Sequence, residues 1–201
     1  MDILGISCFY HDAAACLLRD GEILAAAEEE RFSRKKHDAD FPARAVQYCL
    51  DAAGIEAHDL DYVIFYEKPL LKFERILASC GATFPHSRVP FVRAMQVWLA
   101  SKLWTTRLIR QHVDHGGPIL FGEHHLSHAA SAYFPSPFTD AAVITADGIG
   151  EWSSTTIGVG HELDLDLTHE IRFPHSLGLL YSVFTAYLGF EVNDGEYKVM
   201  G

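Results

Sequence analysis

Two histidines four residues apart and a later aspartate are the residues of this chain best suited to chemistry. His124 and His128 would share one helix face if residues 126–133 are helical, so a single cation could contact both imidazoles. Asp147 ends an apolar run before Gly148, where a buried strand would present its carboxylate. Imidazole nitrogen with carboxylate oxygen suits Fe, Zn or Mn better than Ca or Mg. The spacing predicts a divalent metal site, although ordinary helix faces carry such pairs too.

Two acidic loops form a second group of candidates. His11 and Asp12 follow the first apolar run, and Gly148 and Gly150 follow Asp147. We expect these loops to face each other across a cleft, where glycine amides can approach a phosphate and acids can hold a metal or accept a proton. Turn geometry alone would also explain an aspartate and two glycines at these positions.

A basic run, residues 31–37, contrasts with the acidic character of the chain. Its charge could focus an anion such as a phosphate. The alternative is an ordinary solvated charge run after a strand, and the sequence favours that alternative.

The composition limits the class of protein. The chain has 201 residues, of which 49% are apolar and 21% charged, and its formal net charge is -11. These values indicate a folded core and disfavour nucleic-acid binding. Because no apolar run approaches the ~20 residues of a membrane span and no signal peptide opens the chain, we expect a cytoplasmic protein with no membrane partner. The four cysteines have no metal-type spacing and fit reduced core residues.

The periodicity predicts two copies of a strand, acidic loop, strand, turn, strand pattern. A break at residues 135–137 separates residues 1–138 from residues 139–201. The predicted strands are residues 3–9, 13–18, 23–27, 62–66, 118–121, 141–146, 155–160 and 167–173. The predicted helices are residues 41–54, 89–112, 126–133 and 176–189. The pattern resembles the duplicated βββαβα, actin-like and sugar-kinase-like α/β fold, and we expect the second copy to be truncated at the C-terminus.

Several blocks of sequence together resemble the nodulation-factor and antibiotic O-carbamoyltransferase family. They are collinear over the whole chain. The blocks are Gly5-Ile6 with His11-Asp12, residues 28–37, residues 124–132, Asp147-Gly148, residues 176–181 and residues 195–201.

This resemblance implies an N-terminal actin-like domain akin to tRNA threonylcarbamoyl transferases, followed by a C-terminal activating domain that is not in this chain. The activating domain would make carbamoyl adenylate from carbamoyl phosphate and ATP, and the N-terminal domain would transfer the carbamoyl group to a sugar-like or antibiotic-like hydroxyl. The residues that match family positions fall into three groups. His124, His128 and Asp147 match the positions that bind a metal, usually iron. Lys36, Gly148 and Gly150 match positions that contact carbamoyl phosphate or nucleotide. His11 and Asp12 match the acceptor loop, with Asp12 as the general base and His11 as the alternative base.

Other functions remain open at this point. An actin-like sugar kinase or ATPase would use Mg with carboxylate and water ligands and would have no need of a histidine pair. A non-catalytic nucleotide-binding fragment would bind without turnover. The acceptor, the metal and the oligomeric state, including a possible homo-oligomer, are not specified by the sequence.

Overall fold

A mixed five-stranded sheet organises the first of two units, Met1–Gly122 and Glu123–Gly201. The structure is a computed structural model that describes residues 1–100 and 102–201. The strands of the first unit are β1 (Asp2–Ser7), β2 (Ala14–Arg19), β3 (Glu22–Glu28), β4 (Tyr62–Phe65) and β5 (Ile119–Phe121). Its helices are α1 (Glu30–Ser33), α2 (Ala43–Ala53), α3 (Pro69–Ala82), α4 (Arg88–Ala100) and α5 (Thr105–His112).

The strand order of this sheet is β3-β2-β1-β4-β5. The pairs β1–β2 and β2–β3 are antiparallel, whereas β1–β4 and β4–β5 are parallel. The carboxyl ends of β1, β4 and β5 therefore lie at one edge of the sheet. This arrangement confirms the mixed α/β class and the βββαβα order that the sequence predicts for the first copy.

The core of the first unit lies between the sheet and α2. Leu4 and Val63 are fully buried, and Ala45 and Cys49 on α2 are equally inaccessible. The apolar face predicted for residues 41–54 is therefore confirmed, and Gly54, with a φ of +66°, ends the helix. Among the cysteines, Cys8 and Cys49 are buried core residues, and all four are free thiols.

The helical pattern predicted for residues 89–112 is interrupted. Helix α4 ends at Ala100, a 3₁₀ turn covers Lys102–Trp104, and α5 begins at Thr105. Of the two tryptophans in this segment, Trp98 is buried and Trp104 is 55% exposed. Among the described residues, no helix is both long enough and apolar enough to cross a bilayer.

A three-stranded antiparallel sheet, β6-β7-β8, forms the second unit with three helices. Its elements are α6 (His124–Tyr133), β6 (Asp140–Ala146), β7 (Ser153–His161), β8 (Asp164–Arg172), α7 (Leu177–Tyr187) and α8 (Glu196–Met200). The central position of β7 matches that of β2 in the first sheet, so both units contain three consecutive antiparallel strands in the same order, as the duplication predicts.

The histidine helix α6 belongs to this second unit, so the division after Gly122 falls earlier than the sequence-based boundary at 138. The physical reason is packing: Ala129 and Tyr133 on α6 form a small core with Val143 on β6. A Cβ on Gly160 would lie 2.4 Å from the Tyr133 ring, so the glycine leaves the space that the ring occupies. The Tyr133 hydroxyl then donates to the Thr139 carbonyl at 2.8 Å.

Candidate metal centre

Helix α6 places two of the candidate ligands. It begins at His124, two residues before the predicted start, so His124 and His128 stand one turn apart on the same face. The buried carboxylate of Glu151 accepts the His124 backbone N–H at 3.0 and 3.1 Å. A negative charge at this end of the helix also interacts favourably with its dipole. Glu151 therefore fixes the turn that carries both imidazoles.

Asp147 follows the last residue of β6, as the apolar run predicts. Its backbone N–H donates to the Ser154 carbonyl on β7 at 2.8 Å, and its Oδ1 accepts the Gly148 N–H at 2.6 Å. The other carboxylate oxygen, Oδ2, lies 2.7 Å from His124 Nε2 and 3.6 Å from His128 Nε2. The structure thus brings the three predicted metal ligands together.

The start of α7 packs against the Asp147 loop. Ser176 is the N-cap of α7 and accepts the Leu179 N–H at 3.0 Å. The same hydroxyl lies 2.7 Å from the Gly148 carbonyl oxygen and 3.1 Å from the Asp147 carbonyl oxygen. A Cβ on Gly178 would lie 2.5 Å from the Asp147 carbonyl group, a separation that real Cβ atoms do not adopt. Gly178 is therefore needed for the close approach of α7 to the loop.

The donor set fits a transition-metal ion. His124 Nε2 and His128 Nε2 are 3.0 Å apart. Bonds of about 2.0–2.2 Å to one ion would place ligand atoms about 3.0–3.5 Å apart, close to the three separations. One proton shared among two imidazole nitrogens and a carboxylate oxygen can form only one good hydrogen bond. A metal cation, in contrast, can bind the lone pairs of all three atoms. Two imidazoles and one carboxylate, with open positions, suit Fe, Zn or Mn.

The charge state of the Asp147 carboxylate is compatible with metal binding. Hydrogen bonds from His124 and then His128 hold the pKa of Asp147 well below its ordinary value, against the raising effect of its burial. Asp147 is therefore ionised at neutral pH. His128 is about half exposed, so the group is accessible from solvent on that side.

The histidine between the two candidate ligands has a different role. His125 Nε2 donates to the Ser153 carbonyl oxygen at 2.8 Å, and Nδ1 lies 2.6 Å from Thr145 Oγ1. Burial lowers the pKa of His125, which keeps the ring neutral. Nδ1 must then accept from Thr145, whose own oxygen lies 2.6 Å from Thr156 Oγ1 and accepts its proton. This chain of hydrogen bonds attaches α6 to β6 and β7, and no short motif in the sequence indicates it.

The two glycines predicted to contact a nucleotide lie close to the metal ligands. A Cβ on Gly150 would meet the His125 and His124 rings at 3.0 and 3.1 Å. The small size of Gly150 is therefore explained by the packing of those rings. A Cβ on Gly148 would make only an ordinary contact with Leu179, at 3.8 Å. Their contact with a nucleotide stays a prediction.

The predicted acceptor loop lies in the first unit, at the carboxyl end of β1. Asp12 Oδ2 pairs with His11 Nδ1 at a short distance, and Asp12 Oδ1 lies 3.1 Å from His37 Nδ1. Burial alone would raise the pKa of Asp12, but the hydrogen bonds from His11 and His37 outweigh it, so the pKa is lowered. His37 belongs to the basic run, and the sequence alone does not indicate its contact with Asp12. Its contact with Asp12 depends on the turn at residues 36–37.

The basic run is largely paired with nearby carboxylates. Arg31 lies 3.2 Å from Glu28, and Lys35 lies 3.2 Å from Asp38 and 3.3 Å from Asp40. This pairing supports the solvated charge run that the sequence favoured. Lys36, the predicted phosphate or carbamoyl contact, is exposed in the turn that follows α1.

Comparison with known proteins identifies the class. A family profile described as "Carbamoyltransferase N-terminus" matches residues 2–201. The chain is therefore a member of the carbamoyltransferase N-terminal family. It is similar to the protein sll1178 of Synechocystis sp., with 53% identity over 99% of this chain and 34% of that protein. Nodulation protein NolNO of Sinorhizobium fredii is 38% identical over 96% of this chain and 27% of that protein.

Two solved structures give weaker similarities. YeaZ from Pseudomonas aeruginosa has a TM-score of 0.38 at 14% identity, covering 86% of this chain and 67% of that one. A putative N-acetylglucosamine kinase from Porphyromonas gingivalis has a TM-score of 0.36 at 16% identity, covering 92% of this chain and 56% of that one. At these scores neither similarity carries an argument about this chain.

Proposed function

We propose that the chain is the N-terminal part of an O-carbamoyltransferase that uses ATP and carbamoyl phosphate. The observation that carries the proposal is the convergence of His124, His128 and Asp147 in a member of the carbamoyltransferase N-terminal family. A separate activating domain would make carbamoyl adenylate, and this domain would pass the carbamoyl group to a hydroxyl of a small-molecule acceptor. The chain spans about a third of the length of the curated relatives it matches, which leaves room for such a domain in them.

The transfer step exchanges one bond at the carbamoyl carbon. The acceptor hydroxyl oxygen forms a bond to the carbamoyl carbon, the bond from that carbon to the AMP phosphate oxygen breaks, and AMP leaves. A divalent ion held by the two histidines and Asp147 would supply positive charge near the oxygens on which negative charge develops. The hydroxyl proton must pass to a base of the protein.

The contacts of Asp12 support a division of roles between the two candidate bases. Because a carboxylate can only accept, His11 Nδ1 carries the proton of their shared hydrogen bond. In the neutral ring, Nε2 then has a free lone pair and can accept the hydroxyl proton. Asp12 would orient the imidazole and stabilise the imidazolium that forms, as the aspartate does in a catalytic triad. Proton transfer directly to Asp12 is the alternative.

The acidic balance of the chain gives no support to a nucleic-acid acceptor. A sugar kinase of the same fold class is the second candidate function, and its Mg chemistry would leave the two imidazoles without a role. The identity of the bound metal therefore distinguishes the carbamoyltransferase from the sugar kinase.

The metal content of the purified chain tests the proposal. Protein prepared anaerobically and loaded with Fe, Zn or Mn should retain about one ion per chain. His128→Ala should lose the ion, whereas His161→Ala should retain it, since His161 is an exposed histidine on β7 paired with Asp140. Full metal content in His128→Ala, or binding of Mg alone, would contradict the proposed site.

A further inference from the structure

A buried ion pair lies at the carboxyl edge of the first sheet. Glu67 follows β4, and Lys72 stands in the first turn of α3. Lys72 Nζ donates to Glu67 Oε2 at 2.7 Å, and both residues are 7% exposed. The desolvation of two charges offsets much of their attraction, so a buried pair adds little to stability compared with apolar residues of similar size. Stability alone therefore does not account for this pair.

The orientation of α3 is also unusual. Its buried residues are Lys72 and Arg75, whereas Leu70 is 70% exposed. A helix that packs by its apolar face would do the reverse. The fold thus buries a cationic face of α3, and Lys72 on this face reaches Glu67 just after β4.

The Glu67 carboxylate is fixed to the sheet. Burial, together with the charge of Glu67 and a hydrogen bond to it, raises the pKa of Tyr66, so the phenol stays protonated. The Tyr66 backbone N–H donates to the Ile6 carbonyl oxygen at 3.2 Å, which extends the pairing of β4 with β1. Glu67 therefore has a defined place beside the end of β1, where the acceptor loop begins.

Lys72 contacts that loop directly. Its Nζ lies 5.0 Å from the centroid of the Tyr10 ring, within the range of a cation–π interaction. The Tyr10 ring lies 4.6 Å from the ring of His11. The Tyr10 ring, which is 52% exposed, thus contacts both the buried ammonium and the imidazole.

The loop is also held at two further points. Phe9 adopts a φ of +70°, a conformation that a bulky residue keeps only where its surroundings enforce it. Its backbone N–H donates to the Ala39 carbonyl oxygen at 2.8 Å. On the other side, Asp12 contacts both His11 and His37. Contacts of the preceding residues Phe9 and Tyr10 and of the following residue Asp12 therefore restrict where the His11 ring can lie.

We propose that Glu67 and Lys72 are positioning residues that, through the Tyr10 ring, set the orientation of the His11 imidazole. Glu67 anchors the ammonium of Lys72, the ammonium holds the ring of Tyr10, and Tyr10 restricts the His11 ring, which Asp12 also contacts. The inference rests on the proposed function, because carbamoyl transfer gives the oriented imidazole a proton to accept. The positioning itself can be observed without turnover.

Tyr10 supplies the cleanest variants. Tyr10→Leu removes the ring at a half-exposed position and should leave the melting temperature nearly unchanged, while Tyr10→Phe keeps the ring and serves as the matched control. The readout is the imidazole 15N spectrum of the 201-residue chain, in which a donating Nδ1 of His11 has a distinct signal. We expect Tyr10→Leu to shift and broaden the His11 signals and Tyr10→Phe to preserve them.

The ion pair is tested with the double variant Glu67→Gln/Lys72→Met, because Lys72→Met alone would leave a buried carboxylate without its ammonium. It should change the His11 signals as Tyr10→Leu does, with His58 as an exposed internal reference. In a form of the protein that turns over, both variants should lower kcat about 10- to 100-fold with little change in KM.

The outcomes are distinguishable. Unchanged His11 signals in Tyr10→Leu would overturn the inference, whether or not the double variant folds. Changed signals in both Tyr10→Leu and Tyr10→Phe would also overturn it, since the ring face would then not be the cause. If the signals respond as expected but no carbamoyl transfer is detected in any form of the protein, the positioning stands and the proposed function fails.

Discussion

At the scale of single residues, Gly178 supports the candidate metal group without contributing a donor atom. Any side chain there would collide with the Asp147 carbonyl group at 2.5 Å. We expect Gly178→Ala to displace the Asp147 carboxylate and to weaken binding of Zn or Mn by about 10- to 100-fold, the usual effect of losing support around a ligand. Isothermal titration with the metal measures this. Gly148→Ala is the control, because its added methyl group would make only an ordinary contact with Leu179, and equal affinities for the two variants would contradict the expectation.

The convergence of the three candidate metal ligands could be predicted from sequence because each depends on a local pattern. His124 and His128 are related by helix spacing, and Asp147 by the end of an apolar run. Gly178 and Glu151 could not be derived in this way, because their roles depend on contacts with residues 27 or more positions away. The same holds for Lys72, whose contact with Tyr10 joins α3 to the loop after β1.

At the scale of elements, two helices begin against a glutamate from a different part of the chain. Glu29 Oε2 accepts the Arg44 and Ala45 backbone N–H groups at the start of α2, at 3.0 and 2.9 Å. Glu151 does the same for α6 at His124. Both carboxylates are buried; Glu29 satisfies two N–H groups, and Glu151 one, that have no partner within the helix.

Removing these carboxylates should separate stability from metal binding. We expect Glu151→Ala and Glu29→Ala each to lower the free energy of unfolding by about 1–3 kcal/mol, since buried N–H groups lose their acceptor. Only Glu151→Ala should also weaken metal binding, because only α6 carries metal ligands. Urea denaturation and metal titration of both variants measure the two effects. Loss of metal affinity in Glu29→Ala, or its retention in Glu151→Ala, would show that capping does not set the position of His124.

The sequence predicted the strands of both units and the capped helices α2 and α7, because alternation, an αL glycine and an N-cap serine are local signals. It did not predict α3. The inward face of α3 carries Lys72 and Arg75, so its polarity opposes the amphipathic pattern on which helix prediction depends. Nor did it predict the turn between α4 and α5, where the apolar residues continue at helical spacing.

At the scale of the whole molecule, the chain corresponds to 34% of the Synechocystis relative and 27% of NolNO. The two candidate groups of residues lie in different units, His11 and Asp12 in the first and the metal ligands in the second. Transfer to a hydroxyl, as we propose it, needs both groups and a source of carbamoyl adenylate. The function is therefore best tested in a protein that contains every part.

A chimaera in which this chain replaces the matching segment of the Synechocystis relative provides that test. Given carbamoyl phosphate, ATP and a panel of sugar and aminoglycoside acceptors, the chimaera should form carbamoylated product with release of AMP, while the 201-residue chain alone should form none. Asp12→Asn in the chimaera should lower transfer by roughly two to four orders of magnitude, because the amide no longer holds His11 in the basic tautomer, while adenylate formation continues. Chromatography of AMP and of product measures the two steps separately. Turnover by the chain alone at the rate of the chimaera would refute the two-domain assignment, and transfer within a few-fold of wild type in Asp12→Asn would make Asp12 a turn residue only.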